Sequence, residues 1–276
     1  MMQTVHRRPA LILIPAIFLI PSAAMGQGLI YSLPDDKTGV EYEGEIVQEN
    51  IRPDIPDGKE TLTWSREISI KSVGQEEAEF EGTVQPCRWI EIKVVTGAAG
   101  AAGIDPGPVG ARIYKVLVPE AKIIADSVDE DGVPNVMIPI VRGFRRTGEN
   151  QVKRITSNAL RIYPTISLLT NYADVETIAP SEIPQTKAAG LSFNSRHMKG
   201  MMVMERPQSR STNEGHFWIS QDVPFGLARW EVVVTREEKE STATRDTFKA
   251  VSTIKSTMSV KRLLPQAESE LVTPNN

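Results

Sequence analysis

The chain of 276 residues has one cysteine, Cys87. An intramolecular disulfide is therefore excluded, and stability must come from a buried core. Cys87 stands beside Trp89 at the start of an apolar stretch and reads as a buried, inert thiol. Histidine is nearly as scarce: three residues, His6, His197 and His216. Neither of the last two stands in metal-ligand spacing with another His or Cys, and no His-Glu-x-x-His or Gly-x-Ser-x-Gly motif occurs. No metal site, cofactor or catalytic residue is read from the sequence. Neighbouring carboxylates such as Glu76-Glu77 and Glu237-Glu238 point to opposite faces of a strand and read as solvated charge. Basic excess is lacking too. With 31 Lys and Arg against 35 Asp and Glu, the net charge is −4, and there is no basic stripe to hold nucleic acid.

What is present begins with an export leader. His6, Arg7 and Arg8 precede an apolar run to Ile20, followed by Pro21-Ser-Ala-Ala-Met-Gly26. This is the layout of a secretory signal, residues 1–26, with cleavage near Gly26-Gln27. The apolar run is shorter than the roughly 20 residues a membrane-spanning helix needs. No later run is long enough, so no transmembrane span is expected in the mature chain. The protein is expected to be periplasmic or secreted.

Residues 27–263 read as one β-rich domain. Val40 to Val47 alternates with an acidic outer face. Leu62, Trp64, Ile68 and Ile70 share one face of a strand from Thr61 to Val73, with Arg66 set among them. Ala78 to Val84 and Arg88 to Val95 alternate in the same way. Their short connections allow no crossover helix, so these three are expected to form an antiparallel meander with one packed face. Thr96 to Ala111, rich in Gly, Ala and Pro, reads as a flexible loop. It has neither the Lys-Ser/Thr pair nor the following helix of a phosphate cradle.

Arg112 to Val118 is apolar on both faces and suits a central strand; Pro119 onward suits one or two helical turns. Asp129-Glu-Asp-Gly132 reads as a solvated acidic turn, and Gly143 to Gly148 as a basic turn. Ser157 to Tyr172 is the best helix candidate, with Leu160, Tyr163, Leu168 and Tyr172 near helical spacing. Residues 173–189 read as a linker and 264–276 as a disordered tail.

The most regular stretch is Gly215 to Arg236. A strand, the turn Val223-Pro-Phe-Gly226 (Pro second and Gly fourth, the type I pattern) and a longer strand follow one another. Ala228, Trp230, Val232 and Val234 form the apolar face of that longer strand. Trp64, Trp218 and Trp230 are the expected core anchors. Phe80, Met202 and Met204 join them as residues lining the core or an apolar-ligand pocket. The segment His197 to Met204 carries four methionines, soft donors that suit Cu(I). Alternation sets Met202 and Met204 on one face and Met201 on the other, which does not gather three sulfurs. Packing is the reading adopted.

The leader, the amphipathic meander, the helical middle, the Trp218-Ile-Ser220 segment, the Val223 to Gly226 turn and the long strand after it together resemble the periplasmic lipoprotein-carrier (LolA/LolB-like) superfamily. In outline the chain is also similar to many exported bacterial proteins. The resemblance implies a curved antiparallel sheet half-enclosing helices and a lipid-binding cavity.

The fold class expected is therefore α+β and β-rich: a curved, half-barrel-like antiparallel sheet of about seven to ten strands, with one or two helices on its apolar face. The function expected is non-enzymatic binding of a lipid or other apolar ligand between sheet and helix. Two alternatives remain open: an interaction or scaffold protein for envelope partners, and a hydrolase of unrecognised type.

Overall fold

The computed structural model describes residues 30–101, 103–123, 138–157, 172, 174–178, 186–188 and 190–273. The stretches read from the sequence as a leader (1–26), an acidic turn (129–132), a helix (157–172, apart from its end residues) and, for the most part, a linker (173–189) lie outside the described residues.

The described chain is dominated by strands. β1 (Gly39–Ile51), β2 (Lys59–Phe80) and β3 (Thr83–Gly100) are followed by the short β4 (Gly103–Asp105) and by β5 (Arg112–Pro119). One helical turn, α1 (Glu120–Ile123), precedes β6 (Arg142–Thr147), β7 (Lys153–Arg154) and β8 (Asp174–Thr177). β9 (Thr186–Ala188) and β10 (Leu191–Phe193) form a separate hairpin. β11 (Arg196–Glu205), β12 (Ser209–Ile219), β13 (Leu227–Glu238) and β14 (Lys249–Leu264) complete the set. One antiparallel sheet runs in the order β7-β6-β5-β3-β2-β1-β14-β13-β12-β11-β8, with β4 paired to β3. It is not closed into a barrel.

Several local expectations are corrected. The stretch 61–73 and residues 78–80 are one strand, β2, while 83–84 already open β3; Gly74, at φ 139°, sits in a bulge rather than a turn. The reversal comes at Glu81-Gly82, whose positive φ values of 52° and 77° are those of a tight hairpin turn. The Gly-rich 96–111 segment is not a free loop. β3 continues to Gly100 and folds back as β4, and Gly97 is required there because a Cβ would lie 1.8 Å from the Asp105 carbonyl oxygen. Residues 143–147, read as a basic turn, belong to β6. At Val223–Gly226 the turn has Phe225 at φ 64° and ψ 0°, the type II pattern. A non-glycine residue in that conformation costs on the order of 1–3 kcal/mol. The fully buried Phe225 ring offsets this, and its carbonyl accepts the Tyr31 amide at 2.7 Å.

The sheet's inner face carries the main core. Register aligns its rows from strand to strand: Gly44, Met258, Trp230, Phe217 and Met198 form one row. Tyr42 and Trp230 pack edge to face with ring centroids 4.8 Å apart. Ile30, Val223, Phe225, Ile123, Ile138, Tyr172 and Phe193 seal one end of this face. A smaller cluster on the outer face joins Ile113, Phe144 and Leu271, with Trp89 packed against it.

Leu271 belongs to the segment expected to fray. Instead, Leu271 and Ala267 are buried, and the fully buried Glu91 carboxylate accepts Ser269 Oγ at 2.7 Å and the Glu270 and Leu271 amides at 3.0 and 3.1 Å. Lys71 Nζ bridges Glu91 (3.6 Å) and Glu270 (2.5 Å), and Lys93 also meets Glu270. Over residues 265–273 the polar sequence serves a polar partner on the sheet rather than solvent.

Candidate functional site

At the other end of the inner face a trough opens among the described residues. It holds a cavity of about 780 Å³. Its walls come from β1, β2, β3, β13 and β14, with the β4 hairpin and residues 106–110 forming one rim. Both Arg112 of β5 and Arg236 of β13 line it. These strands are five steps apart in the sheet, which on a flat sheet would separate them by roughly 24 Å. The sheet is therefore strongly curved around the trough.

The floor is apolar: Ile46, Val94, Val234 and Ile254, with half-buried Trp64 beside them. Trp64 pairs with Ile46 across β1 and β2, so it is held at a fixed height above the floor. Around this floor stand Arg66, Arg112 and Arg236. Arg66 follows from the strand pattern: it shares the inner face with Trp64 and Ile68, so alternation turns its guanidinium inward rather than into solvent. Its Nε donates to Thr96 Oγ1 at 2.8 Å, directly across the pair with β3. Burial, and after it the Arg112 guanidinium, pull Arg66 down to about 10. A lowered arginine is one whose charge is costly where it stands. Among the described residues Asp105 is the one carboxylate on the trough wall, and its Oδ1 is taken by the Gly107 amide. The trough thus combines an apolar floor with a positively charged rim.

This arrangement suits a ligand with an apolar body and an acidic end. Guanidinium forks match carboxylate and phosphate geometry, and an anion set between Arg66 and Arg112 would relieve their mutual repulsion. Among the described residues the trough lining includes no histidine and no cysteine. Cys87 is fully buried in β3, its Sγ 3.4 Å from the Gln85 carbonyl, and burial pushes its thiol up.

The sequence-expected residues are scattered over several places. Trp64 lines the trough. Trp230 is 1% exposed at the centre of the core. Met202 is half-buried against the core, with Met204 two residues on along the same face of β11. Phe80 ends β2 beside the Glu81-Gly82 turn, away from the trough. Trp218 is half-buried on the outer face, where His197 stacks on it. Arg112 and Arg236 were missed as site residues because they lie far apart in sequence; only sheet curvature unites them. Arg66 carried a readable signal, a charged residue on the apolar face of an alternating strand.

No protein-family model matches the chain, and a search of curated proteins finds no match.

Proposed function

We propose that the protein is an exported, non-enzymatic binding protein whose trough takes an anionic amphiphile, a lipid or acyl chain with a carboxylate or phosphate end. The acyl part lies on Ile46, Val94, Val234 and Ile254, and the acidic end meets Arg66 and Arg112. The observation that carries this reading is the pairing of arginines with an apolar floor in one open cavity. Cavities of about 300–1,000 Å³ are the usual size for small-molecule sites.

The reading includes the α+β arrangement, with one or two helices packed on the apolar face of the sheet. It also includes export to the periplasm or beyond, where a carrier resembling the LolA/LolB-like superfamily would meet lipid. An open cavity favours a ligand-binding role over a scaffold, which needs only a filled core.

The test is native mass spectrometry of the mature protein purified from its own envelope. A mass increment that extracts as an acidic lipid is expected. A bare protein mass from repeated gentle preparations, with no uptake of added fatty acid, would overturn the reading.

A further inference from the structure

The outer face carries a cluster that the trough does not use. β11 and β12 pair so that His197 faces Trp218 and Lys199 faces His216. The two histidines are therefore diagonal neighbours on one face, although 19 residues separate them in sequence. His197 Nε2 lies 2.9 Å from His216 Nδ1. The His197 ring stacks on Trp218 at 4.4 Å between centroids and 6° between planes. Arg229 lies over the Trp218 ring at 4.9 Å and pairs with Glu231.

We infer that His197 and His216 form a cross-strand clip for a divalent transition metal that accepts two nitrogens at a right angle, Cu(II) or Ni(II). With metal–nitrogen bonds of about 2.0–2.1 Å, nitrogens separated by this distance subtend roughly 90° at the metal. That is the cis angle of square-planar and octahedral ions; a tetrahedral ion needs about 3.3 Å between donors. Two paired strands fix the backbones, so what binding requires is that the rings turn from each other toward the metal, giving up the hydrogen bond between them. In the metal-free pair one imidazole N–H lies between the rings. On binding, that proton moves through solvent to the far nitrogen of its own ring. Both inward nitrogens then offer lone pairs, and the net proton count is unchanged.

Among the described residues no third His, Cys, Asp or Glu joins the pair. The metal therefore keeps solvent-occupied positions, and binding is exchangeable rather than structural. Lys199 on the same face adds a like charge that weakens it further.

The experiment uses the full-length, tag-free chain titrated with Cu(II) and with Ni(II). Electron paramagnetic resonance of the Cu(II) form should show two coupled nitrogens, and metal should quench Trp218 fluorescence saturably at one equivalent. His197→Gln and His216→Gln should each weaken binding at least tenfold. The double variant should lose the two-nitrogen signal and the quenching. Zn(II) should bind more weakly than Cu(II). A one-equivalent site that persists in the folded double variant, or no saturable quenching in the wild type up to millimolar metal, would overturn the inference.

Discussion

The Tyr42 hydroxyl donates to the Leu227 carbonyl at 2.8 Å, reaching from β1 to β13 across β14. This buried bond spans two strand spacings on the inner face, at the end away from the trough. Tyr42→Phe keeps the ring against Trp230 but strands a buried acceptor, which costs about 1–3 kcal/mol. Chemical denaturation should show that loss with little change in the slope. An unchanged midpoint would mean that the bond contributes nothing.

Trp230 and Trp218 are predicted to differ sharply. Trp230 is in the core, and truncating a buried Trp costs about 3–5 kcal/mol. Trp230→Ala should unfold or aggregate the protein, whereas Trp218→Ala should shift the thermal melt only slightly. A Trp230→Ala melt equal to wild type would contradict the packing described.

Asn213 is fully buried on the inner face of β12, opposite Val234 and Met202, and neither atom of its side-chain amide has a hydrogen bond among the described residues. Burying such a group costs about 1–3 kcal/mol. Asn213→Leu, close in volume and apolar, should therefore raise the denaturation midpoint. A fall would show that the amide has a polar partner in solution.

The C-terminal segment should respond to acid. Burial alone would push Glu270 up, but hydrogen bonds from Lys71 and Lys93 and their charges hold it below the ordinary value of 4.5. A depressed carboxylate contributes stability above the unfolded value, and that contribution is lost as pH falls through the folded value. Protection of the amides of residues 265–273, measured as exchange relative to the intrinsic rate at each pH, should therefore stay high at neutral pH and fall only below about pH 4.5. Because Glu270 is partly exposed, salt should weaken the effect. Glu91→Ala, which removes the acceptor for two amides and a hydroxyl, should loosen the segment at every pH. Slow exchange in that variant would contradict the latch.

The inner face was legible wherever alternation was unbroken. Ala228, Trp230, Val232 and Val234 fall on the buried side of β13, as their spacing predicts. The pattern failed where one residue shifts the period. The bulge around Gly74 made one strand read as two, and glycines demanded by close backbone approach at Gly97 made a hairpin read as a loop. The sites were less legible, for a physical reason. Arg112 joins Arg66 and Arg236 through curvature, and His197 meets His216 through strand register. Both are relationships between segments that no local period encodes.

The central claim is that the arginine-rimmed trough holds an acidic amphiphile. It is tested most directly by titrating the mature protein with a fluorescent long-chain carboxylate, read through energy transfer from Trp64. Saturable one-to-one binding is expected. Arg66→Met combined with Arg112→Met should weaken it at least tenfold, and an alcohol of equal chain length should compete poorly. Absence of saturable binding, or equal affinity in the folded double variant, would contradict the account.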